Sequence, residues 1–325
     1  MLSGLYAQNP TFLSDINQIQ NRITTEDRQI TSGARVSQAS DDPSAVAPIL
    51  SYQNQIDQVT QVQKNLTVAT TISQTADSAL QSASTLLDQV LSIATQGAST
   101  TTSASQRAML GTQVQGLAES LVNLANTTVG GKYIFGGDDP TTQPYTLSWS
   151  TAPTSSTPPA SSAYATPGGV IPKAGPFSNT EVTRNASGGT MVLGMTAQQI
   201  FDARNPDGTV ASGNVFQAVY EIGQALQNNP STFSTDIATG MSDLKAAMNQ
   251  ISLATTSNGN DEAWLQNSSS DASSLLANLQ TAFSAVHDTD VTSAIVQLTT
   301  DQTALQASLA AHASLPSKSL FDYLG

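Results

Sequence analysis

The chain has 325 residues, and 11 Lys and Arg residues stand against 24 Asp and Glu residues, so its formal net charge is −13. The basic residues are scattered, which excludes the clustered positive patch that non-specific nucleic-acid binding requires. Cysteine is absent, so disulfides, thiol catalysis and Cys-ligated metal sites are excluded. Because aromatic residues make up 5% and charged residues 11%, we expect long helices packed along narrow apolar seams.

The sequence predicts neither a cleaved secretory signal nor a membrane span. Residues 1–20 lack a charged segment followed by an apolar stretch of about 7 to 15 residues. No run of about 18 apolar residues occurs anywhere in the chain. A soluble cytoplasmic protein is the simplest interpretation, and export by a route without a cleaved signal stays open.

Proline placement divides the chain into helical regions and an insert. Eight of the 14 prolines lie between residues 140 and 176, and none lies in 49–139 or 231–315. An interior proline removes a helical hydrogen bond and clashes with the preceding turn. The two gaps therefore predict two long helical regions, and the stretch between them predicts loops and short strands.

The first helical unit is predicted from an apolar stripe that stops before Gly33. A second helix begins after Asp42 and Pro43 and carries a heptad stripe from Val59 to Ala94. A Ser/Thr-rich turn follows, and a third helix with the same spacing predicts that the chain folds back antiparallel. The stripe of the first helix comprises Phe12, Ile16, Ile19, Ile23 and Ile30.

After the insert the helical periodicity returns. Two strands are predicted inside the insert, one within 131–137, between glycine pairs, and one at 190–195. The spacing of apolar residues then predicts helices over 215–226, 233–251 and 262–286. A last stripe, stepping by four and three residues without a break, comprises Val291, Ile295, Leu298, Leu305 and Leu309. Such stripes usually form the core of their own chain, but their place at the chain ends favours burial inside and between identical or related subunits.

No catalytic, cofactor-binding or metal-binding site is predicted. His287 and His312 are the two histidines, too few for a zinc site with a multi-His signature. The acidic pairs 41–42 and 138–139 each precede a proline, so helix capping and turn formation explain them. Phosphate-binding glycine loops and the hydrolase GxSxG motif are absent.

Three stretches resemble the bacterial flagellin family and, within it, the proteins of the hook–filament junction. The first follows the Ser-Gly turn, the second is the glycine-framed aromatic run, and the third is the C-terminal ending. The residues that carry the resemblance are Arg35, Asp41, Asp42, Pro43, Tyr133, Phe135, Leu320, Tyr323 and Leu324. One departure is the absence of basic residues from 255–265, where relatives often carry arginines.

The resemblance implies a mainly α, flagellin-like fold. Its N- and C-terminal regions would form long antiparallel helical rods or a coiled coil, and a β-rich insert would project outward. The implied division is a terminal assembly domain (1–43 plus 287–325), a helical rod domain (44–128 plus 205–286) and the insert (129–204).

The resemblance further implies an extracellular structural subunit of the bacterial flagellum with no enzymatic activity and no cofactor. It would be exported without a cleaved signal and would form a ring or helical assembly with itself. Its other implied partners are the hook-side junction protein FlgK, flagellin, and an export chaperone at the C-terminal helix, with neither nucleic acid nor membrane among them. Two alternatives stay open: a flagellin that forms the filament itself, and an enzyme or ligand-binding module in the insert.

Overall fold

The structure, a computed structural model, describes residues 3–147, 170–173, 177–180, 182–206, 208–228 and 231–313, and it gives no side-chain burial for residues 3–10. Helices dominate the described residues, which confirms that the fold is mainly α. Their bounds are α1 Ser3–Ser32, α2 Pro43–Ala98, α3 Ala104–Ala125, α4 Ala197–Phe201, α5 Val215–Asn228, α6 Phe233–His287 and α7 Val291–Ala313.

The strands are short, and those described lie between residues 128 and 192. They are β1 Thr128–Val129, β2 Lys132–Tyr133, β3 Tyr145–Leu147, β4 Val170–Pro172, β5 Val182–Arg184 and β6 Thr190–Val192. Each pairs antiparallel in a two-stranded sheet, β1 with β2, β3 with β4 and β5 with β6. The described part of the insert thus contains three small antiparallel strand pairs, and residues 148–169 lie outside the described residues.

Contacts divide the chain into two compact units. One unit consists of residues 1–60 and 274–325, and the other consists of residues 61–273. Helices α2 and α6 each contribute residues to both units. The three-part division implied by the resemblance stays a prediction.

The heptad stripe of α2 is buried as the sequence predicts. Its members with little or no exposure are Val59, Leu66, Ser73, Ala76, Leu80, Ala83, Leu87, Val90 and Ala94. From Ala76 onward they join one core with residues of α3, α5 and α6. The apolar seams therefore fold this unit onto itself.

Helix α3 begins with a capping box at Ser103, whose hydroxyl accepts from the Gln106 amide, while the Gln106 side chain accepts from the Ser103 amide. It then packs closely against α5. A Cβ added to Gly111 would lie 3.1 Å from the Gly223 carbonyl oxygen. The backbones of α3 and α5 can approach each other this closely only because glycine stands at position 111.

Helix α6 corrects the prediction of two separate helices over 233–251 and 262–286, because it continues without a break for 55 residues. The apolar stripe weakens where Asn258 and Asp261 replace apolar residues, yet both side chains are buried. Asn258 exchanges hydrogen bonds with the Ser73 hydroxyl and main-chain carbonyl, each at 3.0 Å. Asp261 accepts from the Gly194 amide at 2.7 Å, so polar pairing replaces apolar packing there.

The predicted strand within 131–137 is also corrected. Gly130 and Gly131, both with positive φ, form the turn between β1 and β2, and the second strand ends at Tyr133. Phe135 leaves the hairpin and is buried, edge-on to Phe201 with ring centroids 5.9 Å apart. The predicted strand at 190–195 begins as expected but ends at Val192 as β6.

Candidate functional site

The two terminal helices, α1 and α7, form an antiparallel pair. Phe12 stacks on His312 with ring centroids 3.9 Å apart, and Arg22 binds Asp301. Residue numbers on α7 fall as those on α1 rise, so the helices run in opposite directions. The residues that the sequence predicts for an assembly interface lie on this pair.

The predicted interface residues of α1 differ in how deeply their side chains are buried. Ile16 is buried, and the others are half-buried: Phe12, Ile19, Ile23 and Ile30. Burial of an aliphatic side chain stabilises a fold by about 1.5–3 kcal/mol. Most of the apolar surface of the α1 stripe is therefore buried by contacts within the chain itself.

The predicted residues of α7 fall into two groups. Leu298 and Leu305 are half-buried, whereas Val291, Ile295 and Leu309 remain 41%, 47% and 50% exposed. Successive residues turn by about 100° around a helix, which places these three on one stripe beside the covered seam. We call them the exposed α7 stripe. The described residues leave it partly exposed.

The seam that α7 buries against α1 is more polar than the spacing of apolar residues predicts. Ala294 and Asp301 are its buried residues, and Asp301 accepts two hydrogen bonds from the Arg22 guanidinium, at 2.9 and 3.1 Å. Glu26 on α1 is also buried. The sequence offered one signal for this cluster, since Glu26 stands in the apolar stripe between Ile23 and Ile30.

The first signature stretch forms the loop between α1 and α2. Asp42 caps α2 by accepting from the Ser44 and Ala45 amides, and Pro43 occupies the first helical position, where its missing N–H costs nothing. The Ser44 hydroxyl and the Arg35 guanidinium hold the pKa of Asp42 below its ordinary value. Asp41 accepts from the Gln38 amide and from Arg28, and its pKa is lowered as well.

Arg35 connects this loop to the junction between α6 and α7. Its guanidinium donates to Asp42 at 3.0 Å and to the main-chain carbonyl of Val286 at 2.7 Å. Its amide donates to the His287 carbonyl at 2.7 Å, and the Thr289 amide donates to the Gly33 carbonyl at 3.0 Å. We call this set of contacts the Arg35 clip. It joins segments far apart in sequence within one unit.

The other signature residues lie elsewhere. Tyr133 ends β2, where it pairs with Thr128, and Phe135 belongs to the core of residues 61–273. Both residues thus belong to the unit of residues 61–273, whereas the terminal helices belong to the other unit. The C-terminal signature residues Leu320, Tyr323 and Leu324 lie outside the described residues.

One open cleft is lined, among the described residues, by no carboxylate, histidine, hydroxyl or thiol side chain. Its volume is about 590 Å³, and Gln199, Arg204 and Gln250 contribute to its lining. The Arg204 guanidinium already pairs with buried Asp202. Burial raises the pKa of Asp202, while Arg204 and Asn214 oppose that shift.

Among the described residues, no group of three or more His, Asp or Glu side chains stands close enough together to hold a metal ion. None of the described helices combines the length and apolar character needed to cross a membrane.

Comparison with known proteins shows similarity to flagellar proteins. Residues 5–139 match the bacterial flagellin N-terminal helical region. Flagellar hook-associated protein 3 of Escherichia coli is 26% identical over 331 residues, which cover 98% of this chain and 96% of the relative. The B-type flagellin of Pseudomonas aeruginosa is 28% identical over 129 residues, covering 39% of this chain and 26% of the relative.

A solved flagellar hook-associated protein from Vibrio parahaemolyticus shares the fold. It aligns with a TM-score of 0.61 at 20% identity and covers 76% of this chain and 99% of its own. The N-terminal part of the chain is thus similar to the helical region of bacterial flagellins, and its fold is that of a solved hook-associated protein. Along nearly the whole chain the similarity is to flagellar hook-associated protein 3.

Proposed function

We propose that this chain is the hook–filament junction adaptor, which joins the hook-side junction protein FlgK to the flagellin filament and acts without catalysis. The carrying observation is the extent of similarity. Hook-associated protein 3 aligns with 98% of the chain, whereas the Pseudomonas flagellin aligns with 39%. A filament flagellin is the alternative, and its shorter match supports it less well.

Assembly would use the two terminal stripes in different ways. The α1 stripe faces α7 within the chain, whereas the exposed α7 stripe keeps apolar surface in contact with water. An apolar stripe left open on a helix favours packing against another helix. We assign Val291, Ile295 and Leu309 to contacts with a second copy, FlgK or flagellin in a ring or helical assembly.

The proposal includes an extracellular location and export without a cleaved signal. Helix α1 begins at Ser3 and supplies the seam that pairs with α7. Before assembly, a chaperone at α7 would shield the exposed α7 stripe, and the terminal assembly domain (1–43 plus 287–325) would complete its packing in the flagellum.

Deletion of the gene tests the adaptor role. We expect electron microscopy to show complete hooks without filaments, and we expect flagellin monomers to accumulate in the medium. Shortened or normal filaments would instead support the flagellin alternative. Normal flagella together with normal swimming would reject both functions and return attention to the insert.

The same deletion strain tests the interface. Its filaments should return with the wild-type gene and should not return with a gene whose product carries a charge on the exposed α7 stripe. Secretion of that variant at the wild-type level is the control, because it separates a defect in assembly from a defect in export. Filament growth by such a variant would contradict the assignment of the stripe.

A further inference from the structure

Three charged side chains meet on the seam between α1 and α7. Arg22 and Glu26 stand one turn apart on α1, and Asp301 stands opposite them on α7. Glu26 is 8% exposed and Asp301 is 3% exposed. The seam thus buries two carboxyl groups against a single guanidinium.

The guanidinium serves only one of the two carboxyl groups. Arg22 donates through Nε to Oδ2 and through Nη2 to Oδ1 of Asp301, a bidentate geometry that favours an ionised carboxylate. Oε2 of Glu26 is buried and accepts no hydrogen bond. An ionised Glu26 would therefore place a buried oxygen that accepts no hydrogen bond beside another negative charge, which is unfavourable.

A proton on Glu26 removes this conflict. A protonated carboxyl is a hydrogen-bond donor, and the neighbouring Asp301 carboxylate is an acceptor. Burial first, and then the negative charge of Asp301, raise the pKa of Glu26, with a smaller contribution from Asp27 and opposition from Arg22. Arg22 meanwhile lowers the pKa of Asp301, so the proton belongs on Glu26.

We propose that Glu26 and Asp301 share one proton across the α1–α7 seam, so that the helix pair closes more tightly as its surroundings become acidic and loosens toward neutral pH. The charged groups that face Glu26 are Arg22 and Asp27 on its own helix and Asp301 on α7. This pH-dependent closing needs only residues of the chain itself and does not depend on the adaptor function.

The direction of the pH effect follows from proton linkage. Since the pKa of Glu26 in the folded chain lies above its ordinary value of 4.5, the folded chain holds the proton more tightly than the unfolded chain. The stabilisation is fully present below 4.5 and is lost as the pH rises through the raised pKa. Because one proton is linked to closing, the equilibrium constant for closing of the α1–α7 pair falls by at most about tenfold per pH unit between pH 4.5 and the raised pKa.

NMR of the full chain with ¹³C-labelled glutamate carboxyl groups tests where the proton lies. Glu26→Gln identifies the Glu26 signal by its disappearance. We expect that signal to titrate above the ordinary glutamate pKa, and we expect Asp301→Asn to lower the pKa because it frees Arg22 for Glu26. An ordinary or lowered pKa of Glu26 in the wild-type chain would overturn the proposal.

Hydrogen–deuterium exchange tests the consequence for the helix pair. Protection of α1 and α7 amides, corrected for intrinsic exchange rates, should rise as the pH falls from 7 toward 4.5 in the wild type and should stay level in Glu26→Gln. Asp57→Asn, an exposed carboxyl change on α2, is the matched control and should keep the wild-type response. The same pH dependence in Glu26→Gln, or no protection of the pair at any pH, would contradict the proposal.

Discussion

The guanidinium of Arg35 donates a 2.7 Å hydrogen bond to the main-chain carbonyl of Val286, which lies 251 residues later in the chain. The same side chain binds the carboxylate that caps α2. A signature arginine in the first loop therefore holds the end of α6. This contact ties the loop before α2 to the C-terminal region, so we expect the two segments to become ordered together.

Replacing Arg35 by alanine should loosen both sides of the clip together. The Asp42 carboxylate and the Val286 carbonyl each lose a charge-assisted hydrogen bond, the stronger kind in proteins. Hydrogen–deuterium exchange should accelerate in residues 33–45 and in 284–290 alike. Arg184→Ala, an exposed change in β5, is the control and should leave both segments unchanged. Faster exchange in only one segment would show that the clip does not couple them.

Acid should weaken the clip through Asp42. Its pKa is lowered by the Ser44 hydroxyl and by Arg35, so its stabilisation is present above the ordinary value of 3.8 and is lost as the pH falls through the lowered pKa. Asp42→Asn should therefore lower the thermal midpoint at pH 6, and the difference from wild type should shrink below pH 3.8. This can be followed by circular dichroism. A difference that grows in acid would contradict the sign of the linkage.

Two glycines of α3 should respond in opposite directions to alanine. Gly111→Ala places a methyl group 3.1 Å from the Gly223 carbonyl oxygen, and overpacking of this kind costs about 1–3 kcal/mol. Gly116→Ala has no atom within 4 Å of the new methyl and should stabilise the helix by about 0.5–1 kcal/mol. Urea denaturation gives the free energy of unfolding for both variants. Equal effects would mean that α5 does not approach α3 as closely as described.

Two leucines of α6 test the orientation of that helix. Leu244 is fully buried, whereas Leu253 is 64% exposed. Leu244→Ala should lower the free energy of unfolding by about 2–5 kcal/mol, and Leu253→Ala should change it by less than about 0.5 kcal/mol. Urea denaturation measures both. A large loss for Leu253→Ala and a small one for Leu244→Ala would place the opposite face of α6 in the core.

The sequence predicted the helices well where apolar spacing and proline placement agree. The stripe from Val59 to Ala94 has both signals, and it is largely buried in the structure. The prediction failed within α6, because the spacing lapses near Asn258 and the helix continues through a polar pair with Ser73. Such a pair joins residues 185 positions apart, and no local pattern reveals it.

Much of the candidate site also depends on contacts that spacing does not encode. A heptad pattern identifies the apolar face of α7, but it does not show that Ile295 stays exposed while Leu305 is half-buried. Similarly, nothing in the spacing of apolar residues around Asp301 predicts that its side chain is buried. Its place on the seam follows from the register of α1 against α7, which is set by the whole length of the pair.

Neighbouring residues of α7 provide the sharpest test of the exposed stripe. Ile295 lies on the stripe, whereas Val296 is 61% exposed and lies about 100° further around the helix. Ile295→Asp should abolish filament growth in the deletion strain, because it puts a charge into a surface that assembly would bury. Val296→Asp should restore filaments. Since both side chains already face water, both variants should keep the wild-type thermal midpoint. Loss of filaments with Val296→Asp alone would move the intersubunit surface to the other side of α7.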